Sequence, residues 1–444
     1  EKGRRNRRHG ITPSQHVFID EEICEGCGDC YRQSEGCAAL YRVPTPFGDK
    51  TQIRQSSCDQ DGLCVDGECP SFARAVPATG TTLRRHLPAE LLDETLPSPR
   101  SRSWFQEREI YTLYSVGRGG TGVVTISHVL AYAAMLDGLH VYLANNTGLA
   151  QKGGPVEAPI QFSRTHQPVF HRLVPGAADL YLGFDLFRAA EPGNLRYADV
   201  ERSVAVVSTT RIPTAEQNRH PEASFPEPDA LRDIIDACTR SEEGVFLDTY
   251  WMAERLFGDT LFANVILLGA TFQSGGLPIS AEAIEAGLEL NGKQTEANIQ
   301  AFRWGRLAVA DPERLEEALG PLTSTPGDVK EAQRQALEQG EARELHDRAL
   351  ADLNVDEQDA PLVSRCIRHL VSYQDVSWAR KYVDTLKMVR AAESDHQHQG
   401  LTAVVGRSLH RLMTYKDEYE IARLLVWGDA QQKMKNQFDG KIRI

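Results

Sequence analysis

Residues 109–136 read EIYTLYSVGRGGTGVVTISHVLAYAAML, and this stretch decides the fold. Glu109–Val116 is apolar on both alternating faces, the pattern of a strand buried inside a sheet. Gly117–Gly122 (GRGGTG) is a glycine-rich turn, and Val123–Leu136 resumes with apolar residues at helical spacing. The same rhythm continues outward. His140–Ala144, Val156–Phe162, Asp179–Phe184 and Ser203–Ser208 read as further strands, with helical patterns between several of them, as at Asp229–Cys238. Strands alternating with helices predict an α/β domain with a mostly parallel sheet. From about Tyr250 the pattern turns helical. Ser280 is a good N-cap for Ala281–Leu290, with Asn291-Gly292 as the stop, and Lys293–Ala310 resumes as a helix. Residues 311–444 are charged, helical in period and poor in strand signals, which predicts a helical C-terminal domain.

The turn itself satisfies G-x-G-x-x-G between a strand and a helix, the context in which backbone N–H groups and a helix N-terminus meet a phosphate. Gly117, Gly119, Gly120, Thr121 and Gly122 are therefore candidate cofactor-binding residues. A dinucleotide site also needs an acid at the end of the second strand, about 20 residues on. That strand ends in Asn145-Asn146, so free nicotinamide binding is disfavoured. The plainer reading is a tight turn that packs closely; another phosphate-bearing ligand or a subunit contact are the alternatives. A second loop at the same sheet edge, Gly148–Pro155 (GLAQKGGP), adds Lys152, Gly153 and Gly154 as candidates, with Lys152 the anion contact.

Seven of the nine cysteines lie between Cys24 and Cys69; Cys238 and Cys366 lie in helical patterns and read as packing residues. A dense cluster with x2 spacings reads as metal binding rather than as a disulfide framework. Cys24-x2-Cys27-x2-Cys30 wraps three thiolates around one corner of a cubane. In two-cluster ferredoxins the fourth ligand comes from the other half and precedes proline, which Cys69-Pro70 matches. The first [4Fe-4S] cluster is expected on Cys24, Cys27, Cys30 and Cys69. The second half, Cys58-x2-Asp61-x2-Cys64, carries aspartate where the middle thiolate would stand, with Cys37 as its distant ligand. A second cluster on Cys37, Cys58, Asp61 and Cys64 would have one harder, weaker oxygen corner. Asp59-Gln60-Asp61-Gly62 is equally a good turn in which Asp61 needs no metal. Zinc is the competing metal, but zinc sites usually present two separate knuckles.

The chain has 444 residues, enough for two or three cores, and a formal net charge of −13, which disfavours nucleic acid as the main partner. No apolar run reaches membrane-span length; Val123–Leu136 and Val265–Thr271 are too short or carry His128. Lys2, Arg4, Arg5, Arg7 and Arg8 make a basic start with no apolar core after it, read as a linker from something upstream or as a chain whose start is not shown. His396 and His398 form an H-x-H in a polar stretch that reads as a solvated loop. No nucleophile elbow, Walker lysine loop or zinc-protease helix occurs.

Three sets of motifs together resemble one family: GRGGTGVVT (117–125), NTGLAQKGGPVEAPIQFS (146–163), and ICEGCGDC with SSCDQDGLCVDGECPSF (23–30 and 56–72). The family is the 2-oxoacid:ferredoxin oxidoreductases, in particular the long fused form of indolepyruvate ferredoxin oxidoreductase. The likeness continues through LYLGFDLFRAA, VVSTTRIPTAE, LLGATFQSGGLP and ELNG…AFRWGR into LVSYQDVSWARKY and LMTYKDEYEIARL. The resemblance implies a ferredoxin-like module over residues 1–80, a linker or wrapping segment over 81–108, a Rossmann-like gamma domain over 109–310, and a helical C-terminal domain over 311–444. It implies oxidative decarboxylation of a 2-oxoacid on thiamine diphosphate and Mg²⁺, with the acyl group leaving on coenzyme A and electrons passing singly through iron–sulfur clusters to ferredoxin. The GDG motif used for thiamine diphosphate is absent from this sequence, so a partner subunit or upstream segment is expected to carry it. The assembled enzyme is expected to be a cytoplasmic dimer. A pure electron-transfer subunit of a different oxidoreductase complex, and a zinc-stabilised binding protein, are the competing classes.

Overall fold

The computed structural model describes residues 14–444 apart from 35–36, 38, 44, 46, 56, 59, 68, 82, 84–91, 93–95, 102–107, 148–153, 166–172, 213–225, 293, 320–340, 354–359, 396–399 and 429. Lys2 to Arg8, Lys152, Gly153, His396 and His398 lie outside the described residues.

The N-terminal module begins with strand β1 (His16–Ile19), helix α1 (Asp29–Gln33), strands β2 (Leu40–Val43) and β3 (Lys50–Ile53), a short 3-10 turn at Leu63–Val65, and strand β4 (Phe72–Pro77). β1 pairs antiparallel with β4, and β2 with β3. So small a module buries little, and its central packing cluster is Ile19, Cys24, Tyr31 and Leu40, with Cys30, Cys37 and Cys64 half-buried against it.

The α/β part follows as β5 (Ile110–Arg118), α2 (Val123–Leu136), β6 (His140–Leu143), β7 (Asn146–Thr147), β8 (Pro155–Ser163) and β9 (Leu180–Gly183). Then come α3 (Leu186–Ala189), α4 (Pro192–Leu195), β10 (Val204–Ser208), α5 (Pro228–Asp236) and β11 (Val245–Leu247). The sheet order is β11-β10-β9-β5-β8-β6, with β7 beside β8. β11, β10, β9 and β5 pair in parallel, whereas β8 runs against β5, β6 and β7. Of these seven strands β8 alone is reversed, so the sheet is mostly parallel in direction. Alternate residues explain the apolar runs. Tyr111 and Leu113 face one core, Tyr114 and Val116 the other, so β5 is buried on both faces.

One difference from the sequence reading concerns the turn. Gly117 and Arg118 belong to β5, paired with Val156 and Pro155, rather than to the turn. The reason is packing: a Cβ on Gly117 would stand 2.7 Å from Val123 Cγ2 and 3.0 Å from Phe184 Cβ.

Five helices cover the first face and extend it: α6 (Thr249–Phe257), α7 (Ala263–Gln273), α8 (Ala281–Leu290), α9 (Thr295–Ala310) and α10 (Pro312–Leu319). Ser280 caps α8, its side chain accepting from Ala283 N–H. The segment before β5 wraps along α7 and α9. Leu92 is buried there, exchanging hydrogen bonds with the Gln300 side chain at 2.9 and 3.0 Å, and Gln273 donates to the Pro97 carbonyl at 2.9 Å.

A second helical body holds α11 (Glu341–Leu353), α12 (Ala360–Tyr373), α13 (Val376–Asp395) and α14 (Leu401–Met413), followed by α15 (Glu418–Trp427) and α16 (Ala430–Asn436). Its core is Leu345, Leu353, Val363, Cys366, Ile367, Leu370, Tyr382 and Leu386, with Phe47 of the N-terminal module packed against it. The chain then closes on its own beginning. Strand β12 (Ile442–Arg443) pairs antiparallel with Pro77 and Val76 of β4, and Phe438 and Met434 share a core with Phe18 and Ala75.

Candidate metal centres

The loop of the first candidate ligands is short and held from several sides. Gly26 and Gly28 take left-handed φ values of 67° and 80°, which turn the chain twice between Cys24 and Cys30. Two backbone N–H groups, Gly26 and Thr51, each donate to Cys24 Sγ at 3.4 Å. Ser71 Oγ lies 3.1 Å from Cys69 Sγ, and Lys50 Nζ donates to the Cys24 carbonyl at 2.7 Å. Cys24 is buried and Cys27 is exposed. The thiols sense each other. Burial pushes Cys30 up to about 11, with Cys24 and Cys27 adding to it. Burial likewise raises Cys27, with Asp29 and Cys69 among the groups acting on it. Burial, then Lys416, lowers Lys50, while Glu25 opposes them.

The second candidate group centres on Cys64. Burial pushes Cys64 up to about 12, and Cys37, Cys58 and Asp61 add to the shift, followed by Cys30. Ala39 N–H donates to Cys37 Sγ at 3.4 Å. Asp61 is exposed, and its Oδ1 accepts from Leu63 N–H at 3.2 Å, the hydrogen bond of a turn. Charge influences thus link Cys30 with Cys24 and Cys27, Cys27 with Cys69, and Cys64 with Cys37, Cys58, Asp61 and Cys30. All seven are free thiols. Among the described residues no three His, Cys, Asp or Glu side chains converge on a single metal ion. A cubane spreads its thiolates more widely than one ion does. Thiolate donors with backbone N–H groups aimed at sulfur are the chemistry it takes, so the residues fit that group. Cys366 is buried in the helical core and Cys238 packs half-buried beside the second face of the sheet; both stand apart from the two groups.

At the glycine turn, Gly119 N–H donates to the Gly154 carbonyl at 2.7 Å, and Asn264 Nδ2 donates to the Thr121 carbonyl at 3.0 Å. Gly120 stands exposed at the crest, and Gly122 caps α2 with φ 105°. Beneath it Arg118 pairs with Asp185 at 2.6 Å, and burial raises the Asp185 carboxyl while Arg118 opposes the rise.

The sequence reading missed the contacts that join the modules. Arg54 leaves β3 to pair with Glu254 of α6 at 3.1 Å and lies over the rings of Tyr41 and Tyr250. Its carbonyl also accepts from Cys58 N–H at 3.0 Å, so the same residue holds the second ligand group to the α/β part. On the other flank Lys416 pairs with Glu25 at 2.6 Å and donates to the Ile23 carbonyl at 3.2 Å. Phe47 stacks on His410 at 4.7 Å, and His410 Nε2 lies 2.9 Å from His369 Nδ1. Isolated charged residues carry no spacing signal, so no local pattern announces these pairs.

Residues 112–308 match the family model described as pyruvate ferredoxin/flavodoxin oxidoreductase, and residues 360–444 match a family of unknown function, DUF6537. Cys24 to Cys69 lie outside both matches. The chain is 30% identical over 202 residues to indolepyruvate oxidoreductase subunit IorB of Pyrococcus horikoshii, covering 44% of this chain and 94% of that protein. To the subunit of the same name from Methanothermobacter thermautotrophicus it is 27% identical over 203 residues, covering 45% and 98%. Among solved structures, the pyruvate oxidoreductase subunit PORC of Thermotoga maritima is similar at 20% identity, covering 45% of this chain and 96% of that one, with a TM-score of 0.34.

Proposed function

The chain belongs to the 2-oxoacid:ferredoxin oxidoreductase family, and from that premise we propose that it is the electron-transfer and gamma-domain part of an indolepyruvate-type enzyme. The reaction is oxidative decarboxylation of an arylpyruvate to an acyl-coenzyme A, with ferredoxin as electron acceptor. The observation that supports this reading is the set of seven free thiols between Cys24 and Cys69, with backbone N–H groups aimed at Cys24 Sγ and Cys37 Sγ. Cys24, Cys27, Cys30 and Cys69 are the proposed ligands of one iron–sulfur cluster, and Cys37, Cys58, Cys64 and Asp61 those of a second. Bound there, such clusters supply one-electron exchange. The protein's part is to hold the thiolates, aim N–H groups at sulfur and leave the Cys27 edge open to solvent.

Thiamine diphosphate and Mg²⁺ belong, on this reading, to a partner subunit or a preceding segment, and coenzyme A is a co-substrate. Gly117 and Gly119–Gly122, with Gly154 and with Lys152 and Gly153, which lie outside the described residues, are the proposed contact for a phosphate-bearing ligand. The proposed domains are 1–80, a wrapping segment 81–108, 109–310 and 311–444, with the last strand returned to the first domain. The proposed setting is the cytoplasm, where thiols stay reduced, and the assembled enzyme is a proposed dimer. Among the described residues no helix is long and apolar enough to cross a membrane.

The test is anaerobic purification of the chain with measurement of iron and labile sulfide, followed by assay with indolepyruvate, coenzyme A and thiamine diphosphate, with and without the partner segment. Bound iron that falls in Cys27→Ser and not in Cys238→Ser, with turnover only when the partner is present, is the expected result. Turnover by the chain alone, or iron lost only in Cys238→Ser, overturns the reading. Stable iron binding with no activity beside any thiamine-bearing partner would favour an electron-transfer subunit of another complex.

A further inference from the structure

The two cysteine groups differ in the fixed charge beside them. Lys50 is only 8% exposed, and its ammonium donates to the Cys24 carbonyl at 2.7 Å. The next residue, Thr51, aims its N–H at Cys24 Sγ. One turn of β3 therefore delivers both a buried cation and a sulfur-directed dipole to the first group. A second cation, Arg32, donates to the Cys27 carbonyl at 3.1 Å and is paired with Asp29, whose carboxylate lies 3.6 Å from Cys27 Sγ. The Glu25 carboxylate that also faces Lys50 is paired with Lys416 at 2.6 Å, so Lys50 is the buried charge left over at this group. In the second group, among the described residues, the Asp61 carboxylate acts on Cys64, and Arg54, whose carbonyl accepts from Cys58 N–H, pairs with Glu254.

Charge acts more strongly where water is excluded. A cluster that accepts one electron gains one negative charge, so a buried cation stabilises the reduced form and a carboxylate disfavours it. Resting on the cluster assignment above, we propose that Lys50 raises the reduction potential of the first cluster above that of the second. An electron crossing between Cys64 and Cys30 then runs toward the exposed Cys27 edge. Lys50 is not a ligand; its charge acts across space from beside the Cys24 carbonyl. It is a positioning residue for the electron and gives the pair of clusters a direction.

The experiment is a dithionite redox titration of the full chain followed by electron paramagnetic resonance, on the parent, Lys50→Gln and Lys50→Arg, each checked first for iron and sulfide. Glutamine keeps a donor to the Cys24 carbonyl without the charge. The expected result is two midpoints in the parent, the higher one abolished by Cys27→Ser. That higher midpoint falls in Lys50→Gln, the lower stays put, and Lys50→Arg restores the parental pattern. A parent without clusters sinks the cluster assignment itself. Clusters present with unmoved midpoints in Lys50→Gln overturn the role of Lys50 alone. So does a Cys27→Ser variant that loses the lower midpoint instead. Failure of Lys50→Gln to load the first cluster makes Lys50 a prop of the loop and also overturns it.

Discussion

Gly26 carries the tightest constraint in the first ligand loop. Its φ is positive, and a Cβ there would stand 2.2 Å from the Asp49 carbonyl oxygen, a backbone atom that cannot swing away. Gly26→Ala should cost about 1–3 kcal/mol from the backbone conformation alone, with the clash in addition. The expected outcome is loss of iron from the first group with the α/β part still folded, read by iron content and circular dichroism together. Asp61 makes the opposite kind of prediction. As a turn residue it offers Leu63 N–H one acceptor, so Asp61→Ala should cost about 1 kcal/mol. As a ligand it should leave a corner iron easily lost, giving a three-iron signal after mild oxidation that Asp61→Cys abolishes. Matching behaviour of parent and Asp61→Cys would leave the residue a turn and nothing more. At this scale the dense cysteine cluster was legible because its spacing is local, two residues between neighbours in the first triple. Arg54 was not, since Glu254 is two hundred residues away and neither side chain belongs to a periodic pattern.

Helices α7 and α9 cross through a glycine on each. A Cβ on Gly269 would lie 1.9 Å from the Phe302 carbonyl, and one on Gly305 1.9 Å from the Ile266 carbonyl. Neither helix can yield by a side-chain rotation, so Gly305→Ala should lower stability by about 1–3 kcal/mol or more, seen as a fall in melting temperature. Helix α2 was read to the residue because the glycine turn precedes it and Val123–Leu136 keeps apolar residues at helical spacing. The α7–α9 contact was invisible, because closeness between two helices leaves only a glycine that could equally be a turn. The α12–α14 contact adds a pH dependence. Burial first, then neighbouring charges including Lys416 and Lys50, hold His369 at about 3 and His410 at about 4, against 6.5 when free. Below 6.5 the unfolded chain binds more protons than the folded one. Stability contributed by the neutral pair is therefore full at neutral pH and falls as pH drops from about 6.5 toward 4. The loss by pH 5 should be on the order of 2 kcal/mol per histidine. Urea midpoints at pH 7 and pH 5 check it, and the difference should shrink in His410→Gln.

Across the whole molecule, the N-terminal module is gripped from both sides, by Arg54 against Glu254 and by Lys416 against Glu25. Arg54→Met should loosen the second ligand group more than the first, measured as selective loss of one of two cluster signals. The alternation of strands and helices made the α/β class readable. The return of β12 was not readable, because a two-residue strand has no periodicity and its partner stands at the other end of the chain. Removing residues 437–444 should unseat Phe438 and β12 and lower both melting temperature and iron content. That pairing also sets a clock. Val76 leaves the ribosome long before its partner Arg443. At about 5–20 residues per second the first sheet waits roughly 20–70 s for its last strand. The wall that β12 adds beside β4 is therefore complete only after almost four hundred further residues have been made, so the thiol-bearing module spends its first moments with that edge open.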